Sequence, residues 1–233
     1  MNIFCEQYTD EYGDLLYRLT KAGELGATLL IALIIFAALI IIRKNDRSSS
    51  LRNLGYIMAD IMVTVSLAGC RVFEFQTGGA ITLFSMLALC LPACWYGACA
   101  GTAIGVAYGL FQLIAFPYII SFPQALMDYV FAFGIFGLAG LFREKKYGLV
   151  WGYMAAVTGR FVFSFLSGSI FFGSYAWPGW SPALYSMCYN SIYIFSEAAL
   201  TLILLFTPPV RRSLEKLSGM ANGIRQTEKR RQN

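Results

Sequence analysis

Charged residues within or beside apolar stretches are the first candidates for chemistry in this sequence. Six such side chains are present: Asp60, Arg71, Glu74, Asp128, Arg160 and Glu197. Each is costly in an apolar medium, so each marks a functional site or pairs with another charge. Asp128 stands beside Tyr129 and follows the aromatic segment 116–123, a setting suited to a cationic or amine-bearing ligand. We therefore predict a binding role for Asp128, and structural pairing between helices for Arg160 and Glu197, for example Arg160 with Asp128 or Glu197.

Catalytic and metal-binding patterns are missing from the sequence. The chain has no histidine, which removes the commonest general base and the usual Ser–His pairing. Cys90 and Cys94 lie four residues apart, but two thiols without further ligands make a poor metal site. The sequence also lacks a Walker-type loop and a nucleophile elbow. We predict no enzyme activity, no metal and no cofactor, so that any ATP hydrolysis takes place in partner subunits.

The composition is that of an integral membrane protein. Hydrophobic residues make up 58% of the 233 residues and charged residues 13%, about half the share typical of soluble domains. The mean hydropathy is +0.60. A single soluble core of this size cannot bury so much apolar surface. Most of the Lys and Arg residues lie in the gaps 43–52 and 143–146 and in the tail 211–231, which is information about topology and not a nucleic-acid patch.

Apolar runs near the length of about 20 residues that a spanning helix needs occur seven times. The predicted spans are residues 25–42, 54–72, 80–95, 98–115, 124–142, 149–166 and 185–206. The first is preceded by an acidic segment and lacks a cleavage site, so we interpret it as a retained helix and not a signal peptide. The basic gaps then predict a multi-pass protein of the cell membrane, with its N-terminus outside and its C-terminus in the cytoplasm.

The segments predicted to face outward are rich in aromatic residues, glycine and proline. They are residues 73–79, 116–123 and 167–180. For a single ring, a place in the interfacial aromatic belt is the better interpretation. For the set we favour a folded cap over a pocket, because a belt needs no Gly-Gly turn or repeated proline.

Glycine recurs every fourth residue along the fourth span, at Gly97, Gly101, Gly105 and Gly109. Small residues at this spacing let helices approach closely in a membrane, and we predict that these pack the bundle. Gly55 and Ala59 have the same spacing in the second span. Their spacing fits packing within the bundle and docking of another membrane protein equally well.

Three sets of motifs follow one another along the chain. The first is QTGGAITL at 76–83 with AYGLFQ at 107–112, and the second is QALMDY at 124–129 with AFG at 132–134 and GLAG at 137–140. The third is the series RF, SG, YA, YS and YN at 160–161, 167–168, 175–176, 185–186 and 189–190. In this order they resemble the thiamine-specific substrate-binding (S) component of energy-coupling factor (ECF) vitamin transporters, and the resemblance covers about residues 52–207.

The resemblance implies a six-helix bundle that binds its vitamin on the outer side. The positions that match the family's substrate site are Tyr108, Tyr118, Asp128, Tyr129, Ser164, Phe172, Tyr185 and Asn190. The family typically has Trp where Tyr108 stands, Glu where Asp128 stands, His where Ser164 stands and often Trp where Phe172 stands. The extra N-terminal span lies outside the six-helix pattern.

The implied function is substrate capture for an ECF-type importer, with thiamine or a related pyrimidine or heterocyclic compound as ligand. The implied partners are a transmembrane scaffold subunit and two ATPase subunits, with Gly55 and Ala59 as docking residues. The predicted organisation is an outer leader, extra helix and basic linker (1–50), a six-helix domain (51–210) and a basic cytoplasmic tail (211–233). The alternatives are an S component for a different small organic cation or vitamin, and a membrane sensor or scaffold without transport.

Overall fold

The computed structural model describes most of the chain. The described residues are 3–9, 15–45, 70–75, 78–210, 212–214 and 216–217. Nearly all of predicted span 54–72 lies outside them, and so do Gly55, Ala59 and Asp60. The predictions on these residues stay predictions.

Helices dominate the described residues, and five are long and apolar enough to cross a membrane. In chain order the helices are α1 (Lys21–Asn45), α2 (Ser85–Tyr96), α3 (Ala98–Ala115), α4 (Phe122–Phe142), α5 (Gly148–Phe171) and α6 (Pro182–Phe206). Helix α2, with 12 residues, is shorter than a membrane span requires. Each predicted span within the described residues thus corresponds to a helix, and the prediction of an all-α membrane protein is confirmed.

Two small antiparallel hairpins accompany the helices. Strands β1 (Cys5–Thr9) and β2 (Leu15–Leu19) pair near the N-terminus, and β3 (Arg71–Glu74) pairs with β4 (Ala80–Thr82). The predicted helical span 80–95 is therefore wrong at its start, because its first residues form β4 and the helix begins at Ser85. A short apolar run does not by itself distinguish a strand from a helix.

The ends of the last two spans also differ from the prediction. Helix α5 continues five residues past the predicted end at Leu166, so part of the presumed outer segment is helical. Helix α6 begins three residues before the predicted start at Tyr185, because Ser181 caps it by accepting a hydrogen bond from the backbone of Leu184 at 3.2 Å and Pro182 occupies the first turn.

The glycine stripe brings α3 against its neighbours. A Cβ atom built at Gly101 would collide with Ala93 of α2, and one at Gly105 with the carbonyl of Phe133 in α4. A Cβ at Gly109 would collide with the carbonyl of Tyr129. The interpretation of the stripe as a packing surface is confirmed, and it places α4 directly beside α3.

Helix α1 lies on the outside of this bundle. Ala38 is buried and Leu39 packs against Ala100 and Ile104 of α3, whereas most other large side chains of α1 are exposed on the surface of the bundle. At its N-terminal end the hairpin β1–β2 touches the segment 116–121, where the amide of Tyr17 donates to the carbonyl of Ile119 at 2.8 Å. The N-terminal hairpin and this segment therefore lie at the same end of the molecule.

Candidate functional site

A pocket of about 970 Å³, including its open mouth, lies at this end of the bundle. It is lined by the hairpin β3–β4, the start of α2, the segment 116–121 and helices α3 to α6. All eight residues predicted for the site line it: Tyr108, Tyr118, Asp128, Tyr129, Ser164, Phe172, Tyr185 and Asn190.

The carboxylate of Asp128 belongs to an irregular part of α4. Residues Leu126–Phe131 form a π-helical turn, a feature that often occurs at functional sites. One oxygen of Asp128, Oδ2, accepts hydrogen bonds from Gln124 Nε2 at 2.7 Å and from Ser167 Oγ at 2.9 Å. Gln124 is almost fully buried and also donates to the carbonyl of Tyr118. It therefore connects the Asp128 carboxylate to the segment 116–121.

The aromatic segment after α3 is folded onto the pocket. The hydroxyl of Tyr129 accepts a hydrogen bond from the amide of Tyr118 at 2.8 Å and donates to the carbonyl of Phe116 at 3.1 Å. The ring of Tyr118 stacks on Phe172 with centroids 5.9 Å apart, and its hydroxyl donates to that of Tyr175 at 2.9 Å. These contacts support the interpretation of the aromatic set as a cap and not only an interfacial belt.

A second aromatic group extends along α6. Tyr185 stacks on Tyr189 with centroids 5.7 Å apart, and Tyr189 meets Tyr193 and Phe75 edge to face. The hydroxyl of Tyr189 accepts a hydrogen bond from the amide of Gly79 at 3.0 Å. Gly79 packs so closely against this hydroxyl that a side chain there would displace it. The hairpin β3–β4 is thus anchored on α6.

Asn190 joins α5 to α6 beside the pocket. Its Nδ2 donates to the carbonyl of Ser186 at 2.8 Å and to that of Ser164 at 3.3 Å, while its Oδ1 accepts from the hydroxyl of Tyr193 at 2.7 Å. An amide offers two donors and two acceptor sites, so these contacts leave one acceptor site on Oδ1. Asn190 therefore positions the surrounding side chains more than it offers groups to a ligand.

Tyr108 lines the pocket from α3. It is 7% exposed, its hydroxyl accepts a hydrogen bond from the Gln112 amide, and its ring packs edge-on against Phe133 with centroids 5.0 Å apart. This ring is fixed from two sides before any ligand is bound.

The structure also places two arginines at the pocket, Arg71 and Arg160. The predicted pairing of Arg160 with Asp128 or Glu197 is not found, because the three ion pairs among the described residues involve other arginines. The Arg160 guanidinium lies 4.6 Å from the centre of the Phe133 ring instead. The sequence feature that could have indicated Arg160 as a pocket residue is that it is a basic residue within an otherwise uncharged span.

Glu197 has the structural role predicted for it, although with different partners. Its side chain is buried at the N-terminus of α2, where it accepts hydrogen bonds from the Met86 amide at 2.9 Å, Ser85 Oγ at 3.2 Å and Thr82 Oγ1 at 2.6 Å. A negative charge at a helix N-terminus is stabilising. Thr82 and Ser85 line the pocket, so the hydrogen bonds of Glu197 fix the position of two lining residues.

Fold and pocket together define a multi-pass membrane protein with a small-molecule pocket at one end of its helical bundle. The chain belongs to the family described as "Thiamine transporter protein (Thia_YuaJ)", which matches residues 54–216. The thiamine transporter ThiT of Bacillus subtilis (strain 168) is 29% identical over 167 residues, covering 64% of this chain and 86% of that protein.

A solved structure of ThiT from Listeria monocytogenes shares the fold. It matches with a TM-score of 0.55 and 21% sequence identity, covering 66% of this chain and 93% of that chain. The bundle therefore has the fold of that structure, and the N-terminal hairpin and α1 lie outside residues 54–216, which the family matches.

Proposed function

We propose that this protein is the substrate-capture subunit of an ECF-type importer and binds thiamine or a related pyrimidine or heterocyclic compound. The observation that carries the proposal is the convergence of all eight motif residues on one pocket, in a chain that belongs to the thiamine transporter family. Transport and not catalysis is the activity expected of such a family.

The pocket offers the two kinds of contact that a cationic heterocycle needs. The Asp128 carboxylate accepts a charge-assisted hydrogen bond from an amino group or faces a ring cation. Tyr129, Tyr185 and Phe172 present ring faces for stacking and cation–π contact. In this proposal Asn190 orients the neighbouring side chains.

The proposed orientation places the pocket on the outer face. The N-terminal hairpin lies at the pocket end, and α1 leads from it to the basic residues after position 42. Helix α4 likewise leads from the pocket end to Arg143 and Lys145. Basic gaps favour the cytoplasmic side, which supports an outer pocket and an outer N-terminus.

Ligand identity is tested on the protein purified in detergent. Small molecules that co-purify are identified by mass spectrometry, and thiamine is then titrated by calorimetry with choline as a cation that lacks a pyrimidine. We expect thiamine to be the tighter ligand. Binding of choline without thiamine would support the alternative of an S component for another organic cation.

The transport half of the proposal is tested with Ala59→Trp. A bulky side chain at a small-residue position blocks close helix approach. If Gly55 and Ala59 dock the scaffold subunit, uptake by cells falls while the isolated protein binds its ligand unchanged, and Ala59→Ser leaves both intact. Equal loss of binding and uptake in Ala59→Trp would place Ala59 in the packing of the bundle.

A further inference from the structure

The N-terminal hairpin β1–β2 lies outside residues 54–216, which the family matches, yet it touches the segment 116–121 at the pocket. The amide of Tyr17 donates to the carbonyl of Ile119 at 2.8 Å, and the two residues pair as antiparallel neighbours. Leu16 and Ile119 are both buried at this junction. The hairpin is therefore part of the packing around the pocket and not a separate appendage.

The hairpin is fixed to the first turn of α1. Thr20 caps this helix, because its carbonyl accepts from the amide of Glu24 at 2.8 Å and its Oγ1 from the amide of Gly23 at 3.2 Å. The Thr20 amide donates to the carbonyl of Phe4 at 3.0 Å, and a Cβ atom built at Gly23 would collide with the same carbonyl. Since α1 packs on α3 through Leu39, the hairpin has a fixed position relative to the bundle.

The segment 116–121 is held by α4 as well as by the hairpin. Gln124 of α4 accepts from the amide of Ile120 at 3.1 Å and donates to the carbonyl of Tyr118 at 3.2 Å. The carbonyl of Ile119, which lies between these two residues, accepts from the hairpin instead. Neighbouring peptide groups of the segment are therefore bonded in turn to α4 and to the hairpin.

Tyr118 carries the effect of this junction into the pocket. It follows the segment's fold directly before Ile119, lines the pocket, and stacks its ring on Phe172 with centroids 5.9 Å apart. A group that is held in one place before binding loses less conformational freedom when a ligand arrives. We infer that the N-terminal hairpin positions this wall of the pocket, with the Tyr17 amide as the group that holds Tyr118 against the ligand. This rests on the proposed function, since the ligand is placed in the same pocket.

The test measures the release of radiolabelled thiamine from the purified full chain after a chase of unlabelled thiamine. Tyr17→Pro removes the amide donor. Successive amides of a strand point to opposite sides, so the Tyr17 amide that meets Ile119 takes no part in the pairing with β1. We expect release to be about threefold faster or more, the effect of one lost backbone hydrogen bond, because such changes act mostly on dissociation.

Two substitutions in the same strand are the controls. Tyr17→Ala removes the ring but keeps the amide. Leu15→Pro places a proline two residues earlier on the same side of the strand, where the described residues show no hydrogen bond to the segment 116–121. Both variants should release thiamine at the wild-type rate. Leu15→Pro and Tyr17→Pro should have the same melting temperature, which separates positioning from a general loss of stability.

A second pair of variants moves the hairpin without changing its strands. Gly23→Ala places a methyl group against the Phe4 carbonyl, whereas the same change at Gly26, about one turn further along α1, meets open space. Both changes raise helix propensity alike. Release should be faster in Gly23→Ala and unchanged in Gly26→Ala, and this pair decides if Tyr17→Pro does not fold.

Amide hydrogen exchange on the ligand-free protein separates this inference from the proposed function. The peptide that covers residues 116–121 should exchange faster in Tyr17→Pro and Gly23→Ala than in the wild type. If the wild type binds no thiamine, the proposed function fails, and the exchange rates still decide whether the hairpin holds the segment. If thiamine binds but leaves Tyr17→Pro and Gly23→Ala at the wild-type rate, the inference is wrong and the proposed function stands. The same conclusion follows if Leu15→Pro and Gly26→Ala speed release equally.

Discussion

Two carboxylates within the helices, Asp128 and Glu197, use the same chemistry in different ways. Glu197 is 3% exposed and accepts hydrogen bonds from three groups at the start of α2. Asp128 lines the pocket and accepts two, both on Oδ2, so that Oδ1 accepts none from the described residues. A carboxylate can accept about four. The acceptor capacity left at the cavity wall supports the binding role that we propose for Asp128, and its absence supports a structural role for Glu197.

The largest expected effect sharpens this comparison at the pocket. Asp128→Asn keeps the side-chain shape and removes the charge, and a buried charge-assisted contact is worth roughly 2–5 kcal/mol when one partner is truncated. We expect the affinity for thiamine to fall at least about 30-fold with little change in thermal unfolding. Titration calorimetry and a melting curve measure the two quantities. Unchanged affinity would make Asp128 structural and place the ligand elsewhere.

The reverse pattern is expected for Glu197→Gln. The amide removes the charge at the N-terminus of α2 and leaves one accepting oxygen where the carboxylate has two, so the donors of Met86, Ser85 and Thr82 are no longer all satisfied as before. Such a mismatch in a buried site costs about 1–3 kcal/mol of folding free energy, so the melting temperature should fall. Thiamine affinity should change less than in Asp128→Asn. Glu144→Gln, an exposed control, should change neither. A stable Glu197→Gln protein that has lost binding would break the comparison.

A smaller gain is expected on the α5 side of the pocket. Ser164 stands where the family has His, and it is buried at the pocket wall. Ser164→His adds a ring that donates and accepts hydrogen bonds, so thiamine affinity should rise by about threefold, equivalent to roughly one ordinary hydrogen bond at the low end. Ser169→His, on the same helix but outside the pocket, is the control. Weaker thiamine binding in Ser164→His would mean that this pocket is built for a different ligand.

Much of the bundle could be predicted from residue type and spacing. Apolar runs of spanning length predict α1 and α3 to α6, because the membrane requires such runs whatever their neighbours. The spacing of Gly101, Gly105 and Gly109 predicts close packing, since no side chain stands between the backbones. Asp128 beside Tyr129 predicts a binding position, since a charge in an apolar helix is costly unless it binds a ligand or pairs with another charge.

The tertiary structure decided what local pattern could not. Residues Ala80–Thr82 become a strand because Arg71–Glu74 lies beside them, and α2 begins at Ser85 because Glu197 reaches it from α6. Whether Arg160 pairs with a carboxylate or faces the pocket depends on how α5 sits against α4. The sequence by itself determined which segments enter the membrane and which residue types they carry, because hydropathy and spacing are local. Only the packing decided which charges face the cavity, because that depends on contacts between residues far apart in the chain.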